Sequence, residues 1–142
     1  MAQRRRTGRV TDRDYARLLA VRTGLRQFER WSAEQAASHG LTASQHQLLL
    51  AVRGHDDPKG PTIGQIADYL LTRHHSAVEL AHRTERAGLI ERVRDEDDQR
   101  VVRLRLSPDG ERVIAALSSA HLEELGRLAA LFESLIGTLS TR

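Results

Sequence analysis

Residues 89–106 decide the fold: Leu-Ile-Glu-Arg-Val-Arg at 89–94, Asp-Glu-Asp-Asp-Gln-Arg at 95–100, and Val-Val-Arg-Leu-Arg-Leu at 101–106. Two β-prone segments, Leu89–Arg94 and Val101–Leu106, flank a charged loop that no apolar core absorbs. In the second segment Val102, Leu104 and Leu106 alternate with Val101, Arg103 and Arg105, so a strand here has one apolar and one cationic face. A hairpin with arginines on its tip and outer face, placed directly after a helical run, has the form of the wing of a winged helix.

The rest of the composition narrows the reading. At 142 residues the chain has the length of one domain. It has no cysteine, which excludes disulfides, thiolate metal sites and cysteine nucleophiles. One Trp, two Tyr and two Phe leave an aliphatic core of Leu, Val, Ile and Ala. No apolar run approaches the roughly 18 residues of a membrane span, and Met1–Val10 has no apolar segment behind its arginines, so a cytoplasmic protein is expected. The net charge is +3, yet Arg4, Arg5, Arg6 and Arg9 exceed it alone and leave the remainder at −1. Between residues 60 and 106 eight arginines face eight acids. Total charge therefore argues for nothing by itself; the direction in which each charge points decides.

Outside the hairpin the periodicity is helical. Thr11–Ser38 carries Leu18, Val21, Leu25, Phe28 and Trp31 at three- and four-residue steps, with Thr11 or Asp12 as cap and Gly40 beyond its end. Thr42 or Ser44 opens a shorter helix through Leu48, Leu49, Leu50 and Val52, and Gly54–Pro61 reads as an exposed loop. Thr62 caps a short helix, Ile63–Leu70; a tight turn leads to another, from about His74 to Ala87, ended by Gly88. Two short helices around a turn, the second feeding the hairpin, make a winged helix-turn-helix, a mainly α fold with one small β-hairpin. Ser107 and Pro108 then start a long helix with apolar residues at 114, 117, 125, 128, 132, 135 and 139, and His121 in the missing slot. Spanning 108 to 140 it is roughly 50 Å long. Its stripe is expected to pair with the first helix and with the same helices of a second subunit. A long helix broken near Gly126 and folded back on its own chain is the alternative.

Four segments, in this order and spacing, resemble the MarR-type winged helix-turn-helix regulators. They are Leu41-Thr42 with Gln45 and Leu48–Leu50; Thr62-Ile63-Gly64-Gln65-Ile66-Ala67; Leu80 with Arg83, Glu85 and Gly88-Leu89-Ile90-Glu91-Arg92; and Asp95 with Asp98-Gln99-Arg100, closed by Leu106-Ser107-Pro108-Asp109-Gly110. The resemblance spans about residues 11–140. Residues 1–10, with their arginines, are expected to be a basic, disordered arm, and the resemblance implies 11–142 as one domain, with dimerisation helices at 11–40 and 108–140 around a DNA-binding lobe at 42–106. It also implies a homodimer on a pseudo-palindromic operator in double-stranded DNA, commonly a repressor, released by a small-molecule effector bound between the dimer region and the lobe. Leu71 and Arg73 depart from the family pattern, which often has Gly and a small capping residue there, and Glu79 stands where a basic or hydroxyl residue is common.

The candidate site residues follow. On the helix from His74, Ala77, Leu80, Ala81 and Thr84 are expected inward, leaving His74, His75, Ser76, Glu79, His82, Arg83 and Arg86 to face bases and phosphates. Glu79 is able to accept from a cytosine amino group. At the tip Asp98 is expected to orient Arg100, which the resemblance places in the minor groove. Arg92, Arg94, Arg103 and Arg105 are further backbone-contact candidates, and acids 95–98 are expected either to pair with Arg92, Arg94 or Arg100 or to point into solvent. Arg4–Arg6 are candidates for phosphate contact or simply solvated. Trp31, His46 and His121 offer an aromatic wall and two polar handles for an effector, or ordinary interhelical packing. Metal binding through His75, Glu79 and His82, or through His46, His121 and Glu124, is a weaker reading, and no cofactor is expected. No G-x-S-x-G, P-loop, H-E-x-x-H or paired C-x-x-C is present, so no enzyme is expected. A helical dimer that binds a ligand or protein without reading DNA is the second functional reading.

Overall fold

The computed structural model describes residues 8–137. In chain order the elements are α1 (Asp12–Ser38), α2 (Ala43–Gly54), α3 (Ile63–Leu70), α4 (His74–Arg86), β1 (Ile90–Arg94), β2 (Val102–Leu106) and α5 (Pro108–Gly137). The fold is mainly helical with a two-stranded antiparallel hairpin. No described helix is long and apolar enough to cross a membrane. Arg4, Arg5, Arg6 and Leu139 lie outside the described residues.

Local chemistry fixes the boundaries. Thr11, Thr42 and Thr62 each accept a hydrogen bond from an amide three residues on, while Asp14, Gln45 and Gln65 return the bond to the cap amide. Ser107 caps α5 through the Gly110 amide and donates to the Gly88 carbonyl at 2.6 Å. Gly110 itself admits no side chain, because a Cβ there would overlap the Leu89 carbonyl. The ends of α3 and α4 use paired bonds to left-handed residues: Thr72 N–H to Ala67 and Leu71 N–H to Asp68, then Leu89 N–H to Thr84 and Gly88 N–H to Glu85. Gly88 takes the second of these turns (φ 76°), but Leu71 takes the first (φ 52°, ψ 44°).

The described chain forms two compact units, residues up to Trp31 with those from Glu123, and Ser32–Leu122. In the first, α1 meets α5 at Gly24, whose missing side chain leaves room for Leu128, Leu131 and Phe132. Tyr15, Leu18, Leu19, Leu125 and Ile136 stay exposed there. The second unit holds the buried core, built from Leu41, Leu48, Leu49, Ile66, Ala77, Leu80, Ala81, Ile90 and Leu104. Ala36 of α1 and Ile114 and Leu117 of α5 join that core, so the lobe draws on both long helices. α5 runs unbroken through Gly126.

The hairpin pairs Ile90 with Leu106 and Arg92 with Leu104. It is not free-standing. The Leu104 amide bonds the Pro61 carbonyl at 2.9 Å, and Thr62 bridges Arg103. The expected exposed loop at 54–61 is therefore corrected at its end: Gly60 and Pro61 are buried against β2.

Candidate nucleic-acid interface

The face of α4 follows its sequence. Ala77, Leu80, Ala81 and Thr84 are buried, with the Thr84 hydroxyl donating to the Leu80 carbonyl at 2.8 Å. His74, His75, Glu79, His82, Arg83 and Arg86 are exposed, and Ser76 is half-buried. None of these seven side chains has a hydrogen bond or ion pair with the described residues. They form a row of donors and acceptors open to an external partner. Arg73, the N-cap of α4, makes no side-chain cap bond. His75, Glu79 and His82 do not form a metal-holding group, and no such group occurs among the described residues.

At the wing tip Asp98 grips Arg100. Its Oδ1 accepts the Arg100 amide and Nε–H, both at 3.1 Å, and its Oδ2 accepts Nη2–H at 3.2 Å. Those bonds hold the Asp98 carboxyl below the usual carboxylate range. The Arg100 side chain is nevertheless 90% exposed. A guanidinium held from behind and open in front is pre-oriented for an external anion.

Arg103 requires a correction. The alternation of β2 put it on an outer cationic face, but its side chain is only 19% exposed. Its Nε–H bonds Asp95 Oδ2 at 2.5 Å, its Nη1–H bonds the Gly60 carbonyl at 2.9 Å, and Asp57 lies 3.7 Å away. Asp95 is buried; Arg103, together with the amides of Asp97 and Asp98, lowers its pKa to about 2. The expected partners of acids 95–98 are corrected with it. Asp95 takes Arg103, Asp97 takes Lys59 at 3.0 Å, and only Asp98 takes the expected Arg100. Arg94 instead donates to the Gln99 carbonyl, and Arg92 lies 3.7 Å from Glu85. Arg105 remains exposed.

Sequence reasoning missed Lys59 and Asp57, which looked like ordinary turn residues. The one available signal was Asp95, three residues before Asp98 at a strand end, where an aspartate commonly accepts amides of the following turn.

A model of the MarR family matches residues 39–101, from the end of α1 to the wing tip. Over those residues, somewhat less than half of the chain, it is similar to the MarR family. It is 36% identical over 64 residues to the uncharacterized HTH-type transcriptional regulator YsmB of Bacillus subtilis, a match covering 45% of this chain and 44% of that relative, less than half of either. A MarR family protein from Bacillus stearothermophilus is 25% identical with a TM-score of 0.72, covering 92% of this chain and 96% of that one. The S. aureus MepR–DNA complex, 20% identical, has the same fold, with a TM-score of 0.67 over 94% of this chain and all of that one.

The three residues expected to form an effector site fall in different units. His46 and His121 meet in the second, their ring centres 4.6 Å apart. His121 Nδ1–H donates to the Leu117 carbonyl at 2.6 Å, and its Nε2 hydrogen-bonds the Ser32 hydroxyl, 2.7 Å away. Burial, and then the neighbouring His121, lower the His46 pKa below the ordinary histidine value. Trp31 belongs to the first unit, where it and Phe28 line a groove of about 310 Å³ with Gly24, Gln27, Glu124, Arg127, Leu128 and Leu131.

Proposed function

We propose that this protein is a member of the MarR family, a cytoplasmic transcriptional regulator and not an enzyme, that binds double-stranded DNA as a homodimer and acts as a repressor. α4 lies in the major groove and Arg100 in the adjoining minor groove. The observation that carries this reading is the unpartnered polar row on α4 beside a wing whose tip guanidinium is pre-oriented and 90% exposed. The DNA-bound MepR structure with the same fold supports it. His74, His75, Ser76, Glu79 and His82 are assigned to base edges and nearby phosphates, and Arg83, Arg86 and Arg94 to phosphates.

The exposed Tyr15, Leu18, Leu19 and Ile136 support a second subunit as the cover of the first unit. An effector that weakens DNA binding is assigned to the Trp31 groove, or to the His46–His121 pair of the lobe. Trp31 is the sole tryptophan, so its fluorescence reports directly on ligands in that groove.

Selection of random duplexes on the purified protein tests the DNA reading. Enrichment of an inverted repeat with half-sites about one helical turn apart is the expected result. Arg100→Ala should weaken binding and lower the salt slope by about one. No enrichment at low ionic strength would refute the reading and favour a ligand- or protein-binding dimer.

A further inference from the structure

Two strands of five residues joined by a seven-residue tip have little stability of their own. This wing nevertheless carries the most exposed ion-paired arginine of the lobe. What holds the tip is a chain of polar contacts running back to the loop before α3. The Gly60 carbonyl and Asp57 take the Arg103 guanidinium. Arg103 takes Asp95 Oδ2, while Asp95 Oδ1 accepts the amides of Asp97 and Asp98 at 2.8 and 3.0 Å. Asp98 then grips Arg100. Lys59 closes a second link to Asp97.

Each link is directional. A guanidinium presents donors in a fixed plane, so three acceptors on two segments fix its position. A buried carboxylate that accepts two consecutive turn amides fixes the backbone of that turn. Removing one partner leaves the other charge buried without compensation, so the assembly fails as a unit.

We propose that Arg103, through Asp95 and with Lys59, is a positioning element that sets where Arg100 stands over the duplex without touching DNA itself. The proposal rests on the DNA reading above. It divides the two guanidiniums of the wing: Arg100 contacts the ligand, and Arg103 holds Arg100 in place.

The test is a double-mutant cycle on the selected duplex, with Arg100→Ala, Arg103→Ala and both together, each titrated against salt. Arg103→Ala should weaken binding about as much as Arg100→Ala, within roughly threefold, and the double variant should be no weaker than Arg100→Ala alone. The double variant's salt slope should also equal that of Arg100→Ala, one less than wild type. Effects that multiply, a slope lower by two, or unchanged affinity of Arg103→Ala would overturn the proposal. Hydrogen exchange on the DNA-free protein supplies an independent arm. In Arg103→Ala the amides of Asp97, Asp98 and Leu104 should lose protection while Leu80 and Thr84 of α4 keep theirs. Retained wing protection refutes the brace, whereas a wild type that binds no duplex refutes the DNA reading. Arg103→Lys, which keeps the charge and one donor, should restore part of both protection and affinity, and it serves if the alanine variant does not fold.

Discussion

Leu71 holds the turn between α3 and α4 in a conformation that L-residues avoid. At φ 52° and ψ 44° its Cβ crowds the backbone, which costs about 1–2 kcal/mol for a residue that is neither Gly nor Asn. Nothing offsets that cost through packing, because the side chain is 93% exposed. Replacement by glycine removes the crowding but gives the unfolded chain more freedom, worth about 0.5–1 kcal/mol against folding. The net gain for Leu71→Gly is therefore about 0.5 kcal/mol, or a Tm rise of about 2 °C for a chain of this size. Leu71→Asn, which tolerates the left-handed region without glycine's freedom, should gain about as much or more. Leu71→Val, with a branched Cβ, should instead lose at least about 1 kcal/mol. Urea unfolding followed by circular dichroism, at one protein concentration for all variants, resolves this order. If Gly and Asn both destabilise, or Val is neutral, the strain argument is wrong and the leucine side chain contributes something its exposure does not reveal.

Three further outcomes follow from the same structure. His46 has a lowered pKa, so below pH 6.5 the unfolded state takes up its proton first and stability falls toward the folded-state value; His46→Gln should flatten the loss measured between pH 7 and 5, and equal slopes would count against it. Asp95, with a pKa of about 2, contributes stability that is complete above its ordinary value of 3.8 and is lost as pH falls toward 2; NMR titration of Arg103→Gln should show the carboxyl moving back toward 3.8. Gly110→Ala should destabilise by about 1–3 kcal/mol, since the Leu89 carbonyl fills the space of a Cβ, and thermal melts check it.

Sequence alone made α4 legible because its inward residues recur at helical spacing and none is ambiguous: Ala77, Leu80, Ala81 and Thr84 are all buried. The caps at Thr62 and Ser107 were legible for a similar reason, since each needs only a hydroxyl and the amides of its own first turn. The Asp98–Arg100 pair was legible because two residues suffice to form it. What sequence did not reveal always involved a segment far away along the chain. Lys59 and Asp97 are 38 residues apart, and Arg103 and the Gly60 carbonyl 43. No periodicity encodes such meetings. The contact of His46 with His121 is the exception: the two were expected as neighbours on different helices, and their ring centres lie 4.6 Å apart.

Arg103 shows why strand alternation is an incomplete guide to an interface. Alternation assigns a side chain to a face, and Arg103 does lie opposite the buried Leu104. It does not say whether that face meets solvent. Here the strand is joined by Pro61 and Thr62 along one edge, and the loop carrying them folds acceptors over the outer face. A cationic side chain under such a cover is placed against intramolecular acceptors, and Arg103 pairs there with the buried Asp95. Arg100, two residues before the first paired residue of β2, is bonded among the described residues only by its neighbour Asp98 and stays 90% exposed. The difference between the exposed and the covered arginine of this wing is thus set by where the α2–α3 loop ends, and lengthening that loop before Gly60 should loosen Arg103 first.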